Sequence, residues 1–253
     1  MPDLDLAFHA AALLAAVLVG LSKGGLPIVG MLGVPVLALV VSPVEAAGLL
    51  LPIFVVSDWF GLWAWRHAWS ARNLAILVPG AILGIALGWA TATWISEAAV
   101  TLIVGAIGLA FAIDRLRPRR LAPAARPADV PRGLLWGTVC GFTSFVSHSG
   151  APPFQIYVLP QNLDKVVFAG TSTVFFTIVN AVKLVPYAAL GQLSLASLEK
   201  MAPMVPPAVA ATLIGVRLTR IIPEKLFFRL VLGALAMVSL KLVWDGAHGL
   251  LAG

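Results

Sequence analysis

Charge is scarce in this chain: Asp, Glu, Lys and Arg together make up 11% of its 253 residues. Globular chains spend about 25% of their residues on charge to cover a water-facing surface, so a soluble fold is excluded. Cysteine is scarcer still. The lone Cys140 rules out an intrachain disulfide and a CxxC metal site, and its expected role is packing. The opening Met1-Pro2-Asp3-Leu4-Asp5 lacks the positive stretch of a secretory leader, so the first apolar run is expected to stay in the protein. What the chain has in quantity is apolar surface, 60% hydrophobic residues with a mean hydropathy of +0.98. Its solvent is therefore lipid. A rise of about 1.5 Å per residue and a hydrocarbon core about 30 Å thick allow roughly eight to ten helical segments once loops are subtracted.

The formal net charge of +6 would suggest nucleic acid in a soluble protein, so its location matters. Arg115, Arg117, Arg119, Arg120, Arg126 and Arg132 fall within one Pro-rich stretch. That clustering is the mark of a cytoplasmic loop beside anionic headgroups, and it argues against a nucleic-acid partner.

Apolar runs fall at 6–22, 26–41, 46–65, 73–94 and 97–114, then at 133–147, 151–160, 166–190, 201–219 and 226–244. Each set of five opens with two short pieces. Ser22-Lys23-Gly24-Gly25-Leu26-Pro27 separates the first two, and Ser147-His148-Ser149-Gly150-Ala151-Pro152-Pro153 separates their counterparts. Lys23 then matches His148, Gly48 matches Gly170, Asp58 matches Asn180, Pro79 matches Pro206, Gly88 matches Gly215 and Glu97 matches Glu224, at offsets of 122 to 127. This is an internal duplication: a first repeat over 1–114, a basic linker over 115–132 and a second repeat over 133–253.

With the basic linker inside, the positive-inside rule places the turn of Arg66, His67 and Arg72 and the turn of Arg217, Arg220 and Lys225 inside. The turns near Glu45, near Glu97 and at 191–200 fall outside, with only Lys200 against that order. Corresponding turns of the two halves then lie on opposite sides, which makes the repeats inverted. Trp63, Trp65, Trp69, Trp94, Trp136 and Trp244, all near span ends, are expected to form aromatic belts.

A helix broken in hydrocarbon exposes backbone groups that cost several kcal/mol each, so breaks survive only where protein or a watery cavity covers them. Paired interruptions in two halves point to a transporter's central site, where half-helix N-termini face an anionic substrate. Here Pro27 and Pro152 are expected at first helical positions. Gly24, Gly25 and Gly150 leave backbone N–H groups approachable, while Ser22, Thr143, Ser144, Ser147 and Ser149 add hydroxyls. An ammonium at Lys23 costs about 2.5 to 3.5 kcal/mol at membrane depth, which a bound oxyanion would offset. His148 can donate to an anion or carry a proton near neutral pH. Asp58, Asn180 and Lys183 lie inside later spans as pathway or coupling residues, with pairing of Asp58 to Lys23 or Lys183 an equal structural alternative. The G-x-S-x-G pattern of Gly20-Leu21-Ser22-Lys23-Gly24 lacks the strand that a nucleophile elbow requires, and no Walker loop is present. No enzyme activity, cofactor or metal is expected, and any energy source is a gradient.

These residues carry a resemblance. Val19-Gly20-Leu21-Ser22-Lys23-Gly24-Gly25 with Leu32-Gly33-Val34-Pro35 looks like the sulfite exporter TauE/SafE family of bacterial membrane transporters. Gly141 through His148, Pro152-Pro153-Phe154-Gln155, Tyr157 through Gln161, and Val167 through Phe176 running on to Asn180 and Lys183 resemble that family's second repeat. The resemblance implies a multi-pass protein of the bacterial inner membrane that moves sulfite or organosulfonates. The partners expected are a small anion and the bilayer, with a homo-oligomer left open. Where relatives continue with further glycines, this chain has Leu26-Pro27-Ile28-Val29-Gly30. The sequence thus points to an all-α membrane protein of about eight to ten helical segments in two inverted repeats, each opening with a broken-helix hairpin, the two hairpins meeting near mid-membrane. The function expected is secondary export of a small sulfur oxyanion on an ion gradient. A passive anion channel of the same fold and an intramembrane serine hydrolase are the alternatives.

Overall fold

Helix boundaries follow the prolines, glycines and short polar residues between the apolar runs. The computed structural model describes residues 2–27, 29–92, 94, 96–116, 125–193 and 195–252. Among them, eleven α-helices occur in chain order. They are α1 (Pro2–Lys23), α2 (Gly33–Leu37), α3 (Pro43–Trp65), α4 (Ala71–Ala90), α5 (Glu97–Leu116), α6 (Val130–Ser147), α7 (Ala151–Val158), α8 (Lys165–Ala189), α9 (Leu195–Met201), α10 (Val205–Ile221) and α11 (Glu224–Ala252). Side-chain oxygens satisfy amides that the first turn leaves over. Ser42 accepts from the Glu45 amide at 3.2 Å, Ser70 from Asn73 at 3.3 Å and Asp129 from Arg132 at 2.8 Å. Six helices are long and apolar enough to cross a membrane among the described residues: Leu6–Lys23, Glu45–Trp65, Ala71–Ala90, Lys165–Ala189, Ser197–Ile221 and Glu224–Leu251. The protein is an all-α, multi-spanning membrane protein.

Most of the ten apolar runs become helices whose ends agree with the sequence to within a turn. The second run does not. Pro27 opens no helix: a 3-10 turn covers Val29–Leu32 and only the five residues of α2 follow. Three residues in this stretch, Gly30, Gly33 and Pro35, are poor helix formers, and Gly30 and Gly33 pack so closely that an added Cβ would press on Ser22 and on Val19. The opening piece α1 is not short either, being one of the six long spans. Pro206 matches Pro79 in sequence but not in role. Pro79 lies inside α4, whereas Pro206 and Pro207 open α10 after the separate α9. Within the linker, Arg117, Arg119 and Arg120 lie outside the described residues, and α5 and α6 cover its two ends.

The chain divides into two compact units, Met1–Trp69 with Ala169–Ile222, and Ser70–Phe168 with Pro223–Gly253. Each draws on both sequence halves. In the first, α1 lies along α10, and α3 packs on both. In the second, α4 lies along α6, α5 along α11, and α7 against α5 and α6. Lipid supplies no hydrophobic drive between helices, so close backbone approach at small residues takes its place. A Cβ at Gly24 would come within 2.5 Å of the Gly215 backbone, and one at Gly141 would run into the carbonyl of Ala81.

That geometry sets an expectation for stability. Gly141→Leu forces α4 and α6 apart and should cost about 1 to 3 kcal/mol, read as a lowered thermal unfolding midpoint in detergent. Gly233→Ala, on α11 where an added Cβ meets nothing within 4 Å, should leave the midpoint unchanged or raise it.

Candidate functional site

The polar centre of the first unit forms where α1 stops. Lys23 is the last residue of α1, and its Nζ lies 2.7 Å from Asp58 Oδ1 with the two side chains only 4% and 3% exposed. Asp58 accepts two further bonds from α8, from Thr177 Oγ1 at 3.0 Å and from Asn180 Nδ2 at 2.9 Å. Thr173, Thr177 and Asn180 recur at four- and three-residue spacing, so they form one stripe along α8. Lys183 continues it, fully buried, its Nζ 5.9 Å from the centre of the Tyr187 ring. The rings of Phe54 and Phe176 lie 5.2 and 5.9 Å from Lys23 Nζ, close enough for cation–π attraction. Sequence analysis left the Asp58 pairing open between Lys23 and Lys183. The bond to Lys23 is present.

The end of α1 frees carbonyls inside the membrane, and other helices satisfy them. The Lys23 carbonyl accepts from Trp65 Nε1 at 3.3 Å and from Thr173 Oγ1 at 3.2 Å, and the Gly24 carbonyl accepts from Thr219 Oγ1 at 2.9 Å. Trp65 is thus no interfacial anchor. It is fully buried because position 65 shares the face of Asp58 and Gly61 on α3, at spacings of three and four, while Trp59 and Trp63 point outward and are exposed. Trp65, Thr173 and Thr219 were missed by sequence reasoning. The helical phase of Trp65 relative to Asp58, and the polar stripe on α8, were the signals that could have found the first two.

The glycine amides of this break are already engaged. Gly24 N–H donates to the Gly20 and Leu21 carbonyls at 3.2 and 3.1 Å, and Gly25 N–H to Ser22 at 3.3 Å. Gly25 has φ +115°, a conformation that L side chains rarely adopt. Ser22 Oγ donates to the Val19 carbonyl at 2.6 Å.

The second break lies in the other unit and is built differently. His148, buried and left-handed at φ 52°, closes α6. Its hydroxyls turn back on the local backbone: Thr143 Oγ1 donates to the Val139 carbonyl at 2.8 Å, Ser147 Oγ to Thr143 at 3.3 Å and Ser149 Oγ to Ser147 at 3.1 Å. Ser144 is buried between them in sequence. Gly150 then caps α7, with its carbonyl accepting from Cys140 Sγ at 3.0 Å. Ala151 holds the first position of α7, so Pro152 falls one residue later than expected; Pro152 and Pro153 stand in the first turn, and neither has an N–H to offer an anion.

Lys23, Asp58 and Asn180 are therefore in direct contact, with Lys183 on the same stripe, and Thr143, Ser147, Ser149 and Gly150 form a bonded segment in their own unit. The charged side chains buried in the first unit, among the described residues, are Lys23, Asp58 and Lys183. No group of three or more His, Cys, Asp and Glu side chains among the described residues could hold a metal ion.

Against known proteins, the sequence pattern of the family described as "Sulfite exporter TauE/SafE" matches residues 10–242. The chain belongs to that family, whose members are transporters and not enzymes. No curated protein and no solved structure matches it.

Removing one partner of a buried ion pair costs about 3 to 5 kcal/mol, whereas replacing both with apolar residues is close to neutral. Asp58→Ala should therefore lower the thermal midpoint severely. The double variant Lys23→Met/Asp58→Leu should recover most of that loss, in a double-mutant cycle followed by unfolding in detergent.

Proposed function

We propose that this member of the sulfite exporter TauE/SafE family is a secondary transporter that exports a small sulfur-containing oxyanion, of the sulfite or organosulfonate type, across the bacterial inner membrane on an ion gradient. The observation that carries this reading is the buried Lys23–Asp58 ion pair, whose carboxylate is also held by Thr177 and Asn180. A cation in the membrane interior is costly and falls by default to substrate or ion handling. A bound oxyanion can take the place of Asp58 as the counter-charge of Lys23. To take Lys23, the anion draws its ammonium away from Asp58, and that carboxylate keeps its bonds from Thr177 and Asn180. Asp58 can thus release the lysine without being left bare. Ser22, Gly24 and Gly25 shape the end of α1 around this exchange. Thr143, Ser144, Ser147, His148, Ser149 and Gly150 perform a related task in the second break.

An inverted repeat accords with contacts inside each unit. At one end of α3, Glu45 lies 3.5 Å from Lys200 Nζ, and a Cβ at Gly48 would meet the Gln192 carbonyl. At the other end, Arg220 Nη2 donates to the Ala64 carbonyl at 3.0 Å. The turn after α3 and the turn before α9, which are counterparts in the two halves, therefore stand at opposite ends of one helix. The pairing of α1 with α10 in one unit and of α6 with α4 in the other is what a duplication with exchanged partners produces. The Lys200 charge that ran against the positive-inside order is matched locally by Glu45.

In proteoliposomes, labelled sulfite should accumulate against its gradient when an ion gradient is imposed; flux that only runs downhill would indicate a channel. The electrically balanced variant Lys23→Met/Asp58→Asn should remain folded and lose anion affinity by roughly 10- to 100-fold, the size of one charge-assisted bond. Unchanged flux in that variant would remove the Lys23 pair from the transport site.

A further inference from the structure

The helix α7 is buried over all eight of its residues, and seven of them are apolar or proline-like in character: Ala151, Pro152, Pro153, Phe154, Ile156, Tyr157 and Val158. The eighth is Gln155. Its side chain is fully buried, and neither its Nε2 nor its Oε1 meets a hydrogen-bond partner among the described residues. A buried polar group left without a partner is destabilising, and native structures hold few of them, each with a reason. Leucine or methionine would fill the same volume at no such cost.

A second orphan lies nearby. Ser239 Oγ on α11 is also buried with no partner among the described residues. A Cβ placed on Gly108 of α5 would touch both Ser239 Oγ and, at 3.2 Å, Pro152 Cβ, so α5, α7 and α11 converge there. Gln155 is three residues beyond Pro152 and so shares its face of α7. Ser239 therefore borders α7 beside Pro152, on the face of that helix that Gln155 shares.

Three hydroxyls of that break are already committed. Thr143, Ser147 and Ser149 give their hydroxyl protons to backbone carbonyls, and Pro152 and Pro153 have no amide proton. The Gln155 amide is a buried side-chain group whose N–H bonds are uncommitted among the described residues. We propose that Gln155 is a specificity-determining residue for the transported anion, its N–H groups donating to a bare oxygen and its carbonyl accepting from a protonated one. The assignment rests on the anion-transport reading above and names the class within it: a hydrogen-oxyanion such as hydrogensulfite, which can both accept and donate. Sulfate offers only acceptors at neutral pH and would leave Oε1 facing negative oxygens. Ser239 supplies a hydroxyl to the same polar patch.

The test combines stability with selectivity in the purified full-length chain. Gln155→Leu removes the orphan amide at nearly constant volume. Its ligand-free thermal midpoint should hold or rise, while hydrogensulfite affinity, measured by thermal shift and by flux in proteoliposomes, should fall roughly 10- to 100-fold and its preference over sulfate should shrink. A stable Gln155→Leu protein with wild-type affinity and selectivity would overturn the assignment. So would a midpoint that falls by many degrees without ligand, since the amide would then be serving the fold. Gln155→Met should repeat the result of the leucine variant, which separates loss of the amide from a change of shape. Wild-type protein that neither binds nor moves any of these anions would instead sink the transport reading itself.

Discussion

Ending a helix inside a membrane imposes one requirement before any other: the carbonyls that its last turn leaves over must find donors where there is no water. At the end of α1, donors arrive from three helices, Trp65 on α3, Thr173 on α8 and Thr219 on α10. These bonds draw α3, α8 and α10 to a single point and make it the polar centre of the first unit. The same backbone geometry places a cation there. The C-terminal end of a helix carries partial negative charge, which favours an ammonium in the last turn, and Lys23 occupies that turn. Asp58 then balances it, held by Thr177 and Asn180. The site is thus a consequence of how the chain satisfies one interrupted backbone.

The small residues serve the same requirement. Thr219 reaches the Gly24 carbonyl because α1 and α10 approach closely at Gly24 and Gly215. Gly61 plays a like part on α3, where a Cβ would come within 3.0 Å of the Lys23 carbonyl and closer still to Thr173. Larger side chains at these points would hold the donors out of reach of the carbonyls. Packing and polar satisfaction are therefore one problem here, solved by glycine on one helix and threonine on the next.

Most of the architecture was legible because hydropathy reports lipid exposure directly. Most of the ten apolar runs and the Gly/Pro breaks could be read from residue order alone. The stretch at 26–41 misled because apolar character says nothing about backbone propensity, and Gly30, Gly33 and Pro35 act against a long helix. Lys23, Asp58 and Asn180 were identifiable as intramembrane polar groups, although the choice of partner for Asp58 depends on helix rotation, which composition does not carry. Trp65 shows the same limit more sharply. Four tryptophans lie between 59 and 69, and only helical phase separates the buried donor from the outward-facing ones. Thr219 was harder again, since its role depends on how closely two distant segments approach.

The two breaks answer the same backbone problem in opposite ways. In the first, the freed carbonyls are capped from outside the segment, so displacing the end of α1 breaks bonds to three helices at once. In the second, Thr143, Ser147 and Ser149 cap carbonyls of their own segment, and a left-handed His148 turns the chain. Those bonds travel with the segment when it moves. The break after α1 is therefore a cross-braced anchor in one unit, and the break after α6 a self-contained turn in the other. The cross-braced break keeps the Lys23–Asp58 pair in fixed register. In the second break three hydroxyls are occupied with the turn, and a buried side chain uncommitted among the described residues, Gln155, stands on the following helix.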